Sequence, residues 1–221
     1  MVQVEISLGK DRVNVTRWVR VMQPYAAKES GTYFLPEVDS EVLIAFNMGN
    51  VDMPYVIGCL WNNKIPVPKQ TADKDNSVKR IRTLGGNEIV FDDKKDKQTI
   101  TVSTPKELQI IIDDGKDTIS VKDKKGENLF TLNAQKGEIT IKAKSKITLD
   151  AGGKAQIVLD GKAGKASVKA TDVAVEAQKA VNIKSQQRSD SSTQYEVKAN
   201  GMAKIQSSGM LQLKGSITKI N

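Results

Sequence analysis

The sequence contains no histidine and one cysteine among its 221 residues. Without histidine, the chain lacks the side chain that most often acts as a general base or metal ligand near neutral pH. The single thiol, Cys59, cannot form a disulfide within the chain or a zinc cluster. We interpret Cys59 as a small buried side chain, because it lies in an apolar run. The sequence therefore predicts no cofactor and no metal site.

Aromatic side chains and long apolar runs are also scarce. Aromatic residues make up 5% of the chain, and no apolar run approaches the roughly 18 residues of a membrane-spanning helix. No segment has the pattern of a signal peptide, so we expect a soluble chain that does not use the ordinary export route. A monomer with so few large side chains could bury only a small hydrophobic core. This composition favours a thin core that is shared between several chains.

The net charge of +8 is distributed unevenly along the chain. Residues 1–66 carry a net charge of −1, and residues 67–221 carry a net charge of +9. In the basic part, lysines and acids mostly alternate with apolar residues, as they do on the solvated face of a strand. This pattern favours a solvated surface over a nucleic-acid groove.

The N-terminal part of the chain predicts a small β domain. Eight of the ten aromatic residues lie before residue 92, and short alternating segments are separated by turn sequences. We predict five strands, at residues 2–6, 17–21, 32–35, 41–46 and 54–61. Five strands with tight turns suit a small barrel, and the apolar setting of its aromatic residues favours core and intersubunit packing. Residues 66–82 form a polar, proline-bearing linker.

Residues 83–221 repeat a unit of one short strand and one turn. Apolar residues at positions i and i+2 return at early steps of 8 to 11 residues, with turn residues between them. The pairs are Ile100/Val102, Ile110/Ile112, Ile119/Val121, Phe130/Leu132, Ile139/Ile141, Ile147/Leu149, Ile157/Leu159, Val173/Val175, Val181/Ile183, Tyr195/Val197 and Leu211/Leu213. Three chains wound about one axis would give each strand partners and remove exposed edges.

Three segments of the sequence resemble the VgrG and phage tail-spike family. The first begins at Trp18-Val19-Arg20-Val21, continues through Gly31-Thr32-Tyr33-Phe34-Leu35-Pro36, ends near Trp61-Asn62, and is similar to the family's OB-fold region. The second, Arg82-Thr83 with Gly85-Gly86-Asn87-Glu88-Ile89-Val90-Phe91, resembles the start of the family's β-helix. The closing Lys219-Ile220-Asn221 resembles family C-termini.

This resemblance implies an all-β homotrimer with an OB-fold-like collar at residues 1–65, a linker at 66–82 and an intertwined triangular β-helical shaft at 83–221. The collar would attach to a baseplate hub protein. A separate PAAR-type tip protein would cap the blunt C-terminal end. Such a structural spike, which is not an enzyme, is assembled in the bacterial cytoplasm as part of a phage tail-like particle. Contraction drives it through the target envelope, with transient contact to the target membrane.

The sequence departs from the family's pattern in three ways. The chain begins too late to supply the strand that usually precedes residues 2–6, as in a piece of a longer hub-spike protein or in a short natural spike. No lysozyme-like domain separates the barrel from the β-helix. Without histidine, the chain cannot form the histidine-ligated metal point that ends some family spikes.

The C-terminal segment still alternates like a strand, so we expect the shaft to end bluntly. Unpaired strand edges and a small apolar platform bind other surfaces readily. The residues predicted to dock the tip protein by strand addition are Gly215, Ile217, Lys219, Ile220 and Asn221. In the alternative interpretation, these are the last shaft residues and end in solvent.

The remaining motifs favour structural roles over chemistry. Gly85-Gly86 and Gly152-Gly153 lack the Lys-Ser/Thr sequence and helix start of a phosphate loop. Asp92-Asp93 and Asp113-Asp114 lie in hydrophilic turns beside lysines, so we predict no catalytic residues. Two other functions remain open, an OB module that binds nucleic acid and an adhesive fibre that binds a surface glycan. The type of contractile system stays open too.

Overall fold

A computed structural model describes residues 1–7, 13–217 and 219. Within this part of the chain, regular structure consists of β-strands and two short 3-10 turns, Asn47–Gly49 and Asp114–Lys116. The chain divides into two compact units, Met1–Thr171 and Asp172–Asn221. The prediction of an all-β chain is confirmed.

The described residues of the N-terminal part form seven short strands. They are β1 (Glu5–Ser7), β2 (Val13–Val15), β3 (Arg20–Val21), β4 (Ala26–Ala27), β5 (Ser30–Gly31), β6 (Val42–Phe46) and β7 (Pro54–Cys59). Strands β1 and β2 pair antiparallel, and so do β4 and β5. Strand β7 lies between β3, to which it is parallel, and β6, to which it is antiparallel.

Residues 32–35 do not form the strand that the sequence predicts. Pairing ends at Gly31, and the Gln23 side chain takes the place of a strand partner. Its amide nitrogen donates to the Phe34 carbonyl at 2.9 Å, and its amide oxygen accepts from the Phe34 N–H at 3.1 Å. The Gln23 side chain thus makes the two backbone hydrogen bonds of Phe34 that a neighbouring strand would otherwise make.

The core of the N-terminal part is thin. Val56 is fully buried and Val19 is 2% exposed. Val56 faces Val21 across one strand pair and Ile44 across the other, so it lies at the centre of the sheet. Cys59 is exposed, because it is the last residue of β7 at the end of the ladder, and the prediction that it is buried is wrong.

Ten further strands follow among the described residues. They are β8 (Val78–Arg82), β9 (Glu88–Asp92), β10 (Thr99–Ser103), β11 (Gln109–Asp113), β12 (Thr118–Lys122), β13 (Leu129–Asn133), β14 (Glu138–Lys142), β15 (Lys146–Ala151), β16 (Ala155–Asp160) and β17 (Lys165–Lys169). Strands β8 to β14 form a seven-stranded antiparallel meander, and β15 to β17 form a three-stranded one. Strand β8 lies inside the range predicted as linker, and the domain boundaries stay a prediction.

The described residues beyond 171 contain no strand. The apolar pairs that predict strands there are strongly exposed, from 54% at Leu211 to 72% at Val175. The hydrogen bonds described in this part are local, such as that of the Gly209 N–H to the Ser207 hydroxyl at 3.2 Å. The described residues of this segment form no backbone ladder, and strand formation needs a partner backbone.

Candidate assembly surface

The registers of the seven-stranded meander place its apolar side chains in two continuous rows on one face. Val102 lies opposite Ile110, Ile110 opposite Val121, and Val121 opposite Phe130. The first row comprises Ile81, Ile89, Val102, Ile110, Val121, Phe130 and Ile141. The second row comprises Phe91, Ile100, Ile112, Ile119, Leu132 and Ile139. We call these two rows the apolar face.

The opposite face of the same sheet is mainly polar. Its central row includes Thr101, Ser120, Thr131 and Thr140, because successive side chains in a strand point to opposite sides. Charged residues such as Lys142 lie on this face near the strand ends. An antiparallel sheet with one apolar and one polar face normally packs the apolar face against other protein.

The apolar face is open in the single chain. Val121, near its centre, is 46% exposed and Ile139 is 67% exposed. Ser120 and Ile111, on the opposite face, are less exposed than their apolar neighbours. Exposed patches of this extent on soluble proteins mark interaction surfaces. The described residues of Met1–Thr171 therefore leave the apolar face of this sheet uncovered.

Side-chain caps hold the turns of the meander. The Asp123 carboxylate accepts hydrogen bonds from the Glu127 and Asn128 N–H groups, at 3.0 and 3.2 Å. The Asn133 side chain caps the next turn by accepting from the Lys136 N–H at 2.9 Å. Such local bonds favour turns over continued strand and fix where each strand ends. Fixed strand ends keep the strands in register and the apolar rows continuous.

The predicted linker is tied to the first strand of the meander. The Asp73 carboxylate accepts from the Ser77 N–H at 2.8 Å and from the Ser77 hydroxyl, and Ser77 is buried. Arg80 donates to the Lys69 carbonyl at 2.9 Å. The side-chain hydrogen bond from Ser77, followed by its backbone hydrogen bond, lowers the pKa of Asp73.

Replacing Asp73 should reveal this capping contact through its pH dependence. A lowered pKa gives stability that is present above the usual aspartate pKa and lost as the pH falls through the folded pKa. We expect Asp73→Ala to lower the unfolding temperature at neutral pH, and the difference from the wild type to shrink below roughly pH 4. Asp75→Ala, in the same exposed segment, is the control. Equal unfolding temperatures for Asp73→Ala and the wild type at neutral pH would contradict the assignment.

The residue pairs considered for catalysis lie in turns and at strand ends. Asp92 ends β9, where it pairs with Lys94 at 3.2 Å, and Asp113 ends β11, where it pairs with Lys116 at 2.5 Å. Gly86 lies in the turn between β8 and β9 with a φ of 86°. Among the described residues, no group of three or more His, Cys, Asp or Glu side chains could hold a metal ion. In that part of the chain, no helix combines the length and apolar character needed to span a membrane.

Most aromatic side chains of the N-terminal part are at the surface. Trp18, Tyr33, Phe34 and Trp61 are 60–80% exposed, so they do not form the core of the single chain. Tyr55 is half-buried in β7. The sequence predicts that these residues pack in the core and against another subunit. Their exposure in the single chain is compatible with the second role only.

The predicted tip-docking residues are only partly described. Gly215, Ile217 and Lys219 are exposed, and Ile217 is 80% exposed. Ile220 and Asn221 lie outside the described residues. No described contact joins the first three into a site, and their docking role stays a prediction.

The fold is an all-β chain with an open apolar sheet face. Residues 1–61 match the family model described as the type VI secretion system/phage-baseplate injector OB domain. The N-terminal part of the chain is therefore similar to injector OB domains.

Curated relatives agree with this family model. The chain is 33% identical over 100 residues to the type VI secretion system spike protein VgrG5 of Pseudomonas aeruginosa, covering 43% of this chain and 13% of the relative. It is 36% identical over 90 residues to spike protein VgrG4b of the same organism, covering 38% and 11%. It is 30% identical over 100 residues to spike protein VgrG3 of Vibrio cholerae, covering 43% and 10%.

The resemblance to the VgrG and phage tail-spike family is thus confirmed over the N-terminal part of the chain. The matched part spans between 10% and 13% of the length of these three relatives. Sequence reasoning found the family and the alternating strands, but it could not measure how much of the apolar face stays open in one chain.

Proposed function

We propose that the chain is the puncturing spike at the baseplate tip of a contractile injection system, and that it acts as a structural homotrimer without enzymatic activity. The open apolar face, in a chain whose residues 1–61 match the injector OB domain model, is the observation that carries this proposal. Three copies would turn their apolar faces towards a common axis and their polar faces towards water. The resulting shaft would link a baseplate hub protein to a tip protein.

The accessible surface supports a shared core. The single chain exposes 20065 Å². A folded monomer of this mass is expected to expose about 10,000 Å². The excess is large enough for extensive contact with other copies of the chain, since a standard protein interface buries about 800 Å² on each partner.

The strand length supports three copies around one axis. A strand of five residues, such as β11, spans about 17 Å. In a triangular prism with sides of this width, the axis lies about 5 Å from each sheet, which is half the usual sheet-packing distance of about 10 Å. The two inward side chains of each strand are then enough to fill the interior. This matches the sequence pattern of one apolar pair in each strand.

The residues beyond 171 would complete their strands in the trimer. Their exposed apolar pairs, such as Val181 with Ile183, have the spacing of the pairs in the meanders. Because they lack partners within one chain, we propose that they form the interwound β-helical part of the shaft. The proposed domains are the collar at 1–65, the linker at 66–82 and the shaft at 83–221.

The C-terminal end is the proposed docking site for a PAAR-type tip protein. We expect full-length chain to capture the tip protein encoded nearby in the same genome, and a chain ending at Leu213 to lose that capture while keeping the trimer mass. The shortened chain lacks Gly215, Ile217, Lys219, Ile220 and Asn221, whose strand edges would accept the partner. Equal capture by both chains would place the docking site elsewhere.

The proposed cellular role calls for a deletion experiment. In a strain that encodes this chain, deletion should abolish both assembly of complete particles in the cytoplasm and injection into target cells. Wild-type chain and Ser120→Asp should restore both, whereas Val121→Asp, on the apolar face of the same strand, should restore neither. Particles that assemble and inject normally without the chain would overturn the proposal.

A further inference from the structure

The C-terminal unit changes direction at regular intervals. Among its described residues and at its border, the chain bends at residues 171, 178–179, 186, 193, 200–201, 208–209 and 216. The last residues of successive bends are seven or eight residues apart, and the residues between bends form no helix and no turn. The segment at 187–192 keeps this spacing although it contains no apolar side chain. It is therefore a regular member of the series and not an inserted loop.

The segments between bends share one pattern of side chains. The second and fourth residues after the bend are apolar in all segments but one, and the sixth is alanine, serine or glycine in every segment. The apolar pairs include Val181 with Ile183, Tyr195 with Val197, and Leu211 with Leu213. Because side chains alternate along an extended chain, these three positions lie on one side of each segment.

The exception has a charged pair in place of the apolar one. Arg188 and Asp190 are the second and fourth residues after the bend at 186, and Ser192 is the small sixth residue. The Arg188 Nε lies 2.9 Å from an Asp190 carboxylate oxygen, so the two side chains are on the same side of the segment. The ion pair thus occupies the position that Val181 with Ile183 and Tyr195 with Val197 occupy in the neighbouring segments.

We infer that Arg188 and Asp190 of three copies form a charged layer inside the proposed shaft, and that this layer aligns the three chains. The inference rests on the proposed trimer, in which the apolar pairs of this unit turn towards the axis. A pair in phase with them turns the same way. Three arginines and three aspartates at one level have no net charge, and each carboxylate can accept from the guanidinium group of its own chain and of a neighbouring copy.

A charged layer restricts the alignment of the chains more than an apolar layer does. Apolar side chains of similar size can pack against one another in more than one alignment. A chain displaced by one segment would bury Arg188 and Asp190 against apolar side chains of the other copies, and charges buried with too few partners are costly. A polar residue in the apolar core of a coiled coil sets the alignment of its helices in this way.

Labelling with phenylglyoxal, which reacts with arginine side chains, tests where Arg188 lies. We expect Arg188 to react at least about tenfold more slowly in the wild-type trimer than in separated Val121→Asp chains, because the shaft must open first. Ser191→Arg is the matched control, since residue 191 lies on the other side of the same segment. The arginine that it introduces should react freely in the trimer.

Substitutions test whether the two charges depend on each other. Arg188→Val and Asp190→Val should each lower the unfolding temperature of the trimer by about 10 °C, because each leaves one buried charge per chain without its partner. Arg188→Val/Asp190→Val should restore the wild-type unfolding temperature or exceed it. Gln187→Val/Ser189→Val, on the other side of the segment, should change it little. The alignment role predicts that expression of Arg188→Val/Asp190→Val yields severalfold less trimer, and more aggregate, than the wild type.

The results that would overturn the inference differ in what they leave standing. If a chain of verified trimer mass exposes Arg188 as fully as the arginine of Ser191→Arg, or if both single valine variants unfold like the wild type, the charged layer is wrong and the proposed spike stands. Equal trimer yields from the double variant and the wild type would overturn the alignment role. If the chain is a monomer by light scattering, both the layer and the proposed function fail.

Discussion

Val121→Asp is expected to abolish the trimer, although Val121 is 46% exposed in the single chain. In the proposed trimer, the three copies of this side chain meet near the axis at one level. A buried carboxylate without a partner costs several kcal/mol for each copy, and three at one level also repel each other. Light scattering should report loss of the trimer mass, and thermal unfolding should start well below that of the wild type.

The control for this prediction lies one residue earlier on the same strand. Ser120→Asp introduces the same charge on the polar face, where Ser120 is half-buried and the carboxylate can still reach water, so the cost should be well below that of Val121→Asp. This variant should keep the trimer mass and nearly the wild-type unfolding temperature. If Val121→Asp and Ser120→Asp were equally stable trimers, the apolar face would not be the inner surface of an assembly.

Trypsin should cut the C-terminal unit slowly in the trimer and rapidly in separated chains. Residues 172–217 carry exposed cleavage sites at Lys179, Lys184, Arg188, Lys198, Lys204 and Lys214. Interwound strands would have to open before a protease could bind them, so the rate should follow the small population of opened shaft. We expect cleavage in the wild-type trimer to be at least about a hundredfold slower than in Val121→Asp, which corresponds to an opening free energy of roughly 3 kcal/mol.

Mass spectrometry of the early fragments provides the readout for the protease experiment. Protection throughout 172–217, with cleavage confined to other parts of the chain, is the expected pattern. Ser120→Asp should match the wild type, which separates the effect of assembly from that of added charge. A trimer of verified mass that loses this segment as fast as Val121→Asp does would rule out an interwound C-terminal shaft.

Strands β10 to β16 of the two meanders could be predicted from the sequence because their signals are local. An apolar pair such as Ile110 and Ile112, bounded by Asp and Gly turn residues, fixes both the position and the faces of a strand. Strand β8 was harder to predict, since its alternation mixes Val78 with Arg80 and lies in a polar segment. Strand β8 pairs with β9, and this pairing is not evident from the local sequence of β8.

Other features depend on partners that one sequence does not display. Val181 with Ile183 has the same spacing as the pairs in the meanders, yet its segment forms no strand in a single chain, because strand formation needs a second backbone. The Gln23 side chain bonds the backbone of Phe34 in place of the expected strand partner. Strand propensities do not predict such a side-chain contact. Cys59 is exposed because it lies at the end of strand β7. The exact residue at which a strand ends is difficult to predict from short sequence patterns.

The solution mass of the full chain tests the central claim most directly, because the inner surface, the interwound strands and the spike all require three copies. Multi-angle light scattering on the purified chain, over a range of concentrations, gives that mass without a reference standard. The proposed homotrimer predicts a single species at about three times the chain mass of 24.2 kDa. A monodisperse species of 24.2 kDa would contradict it.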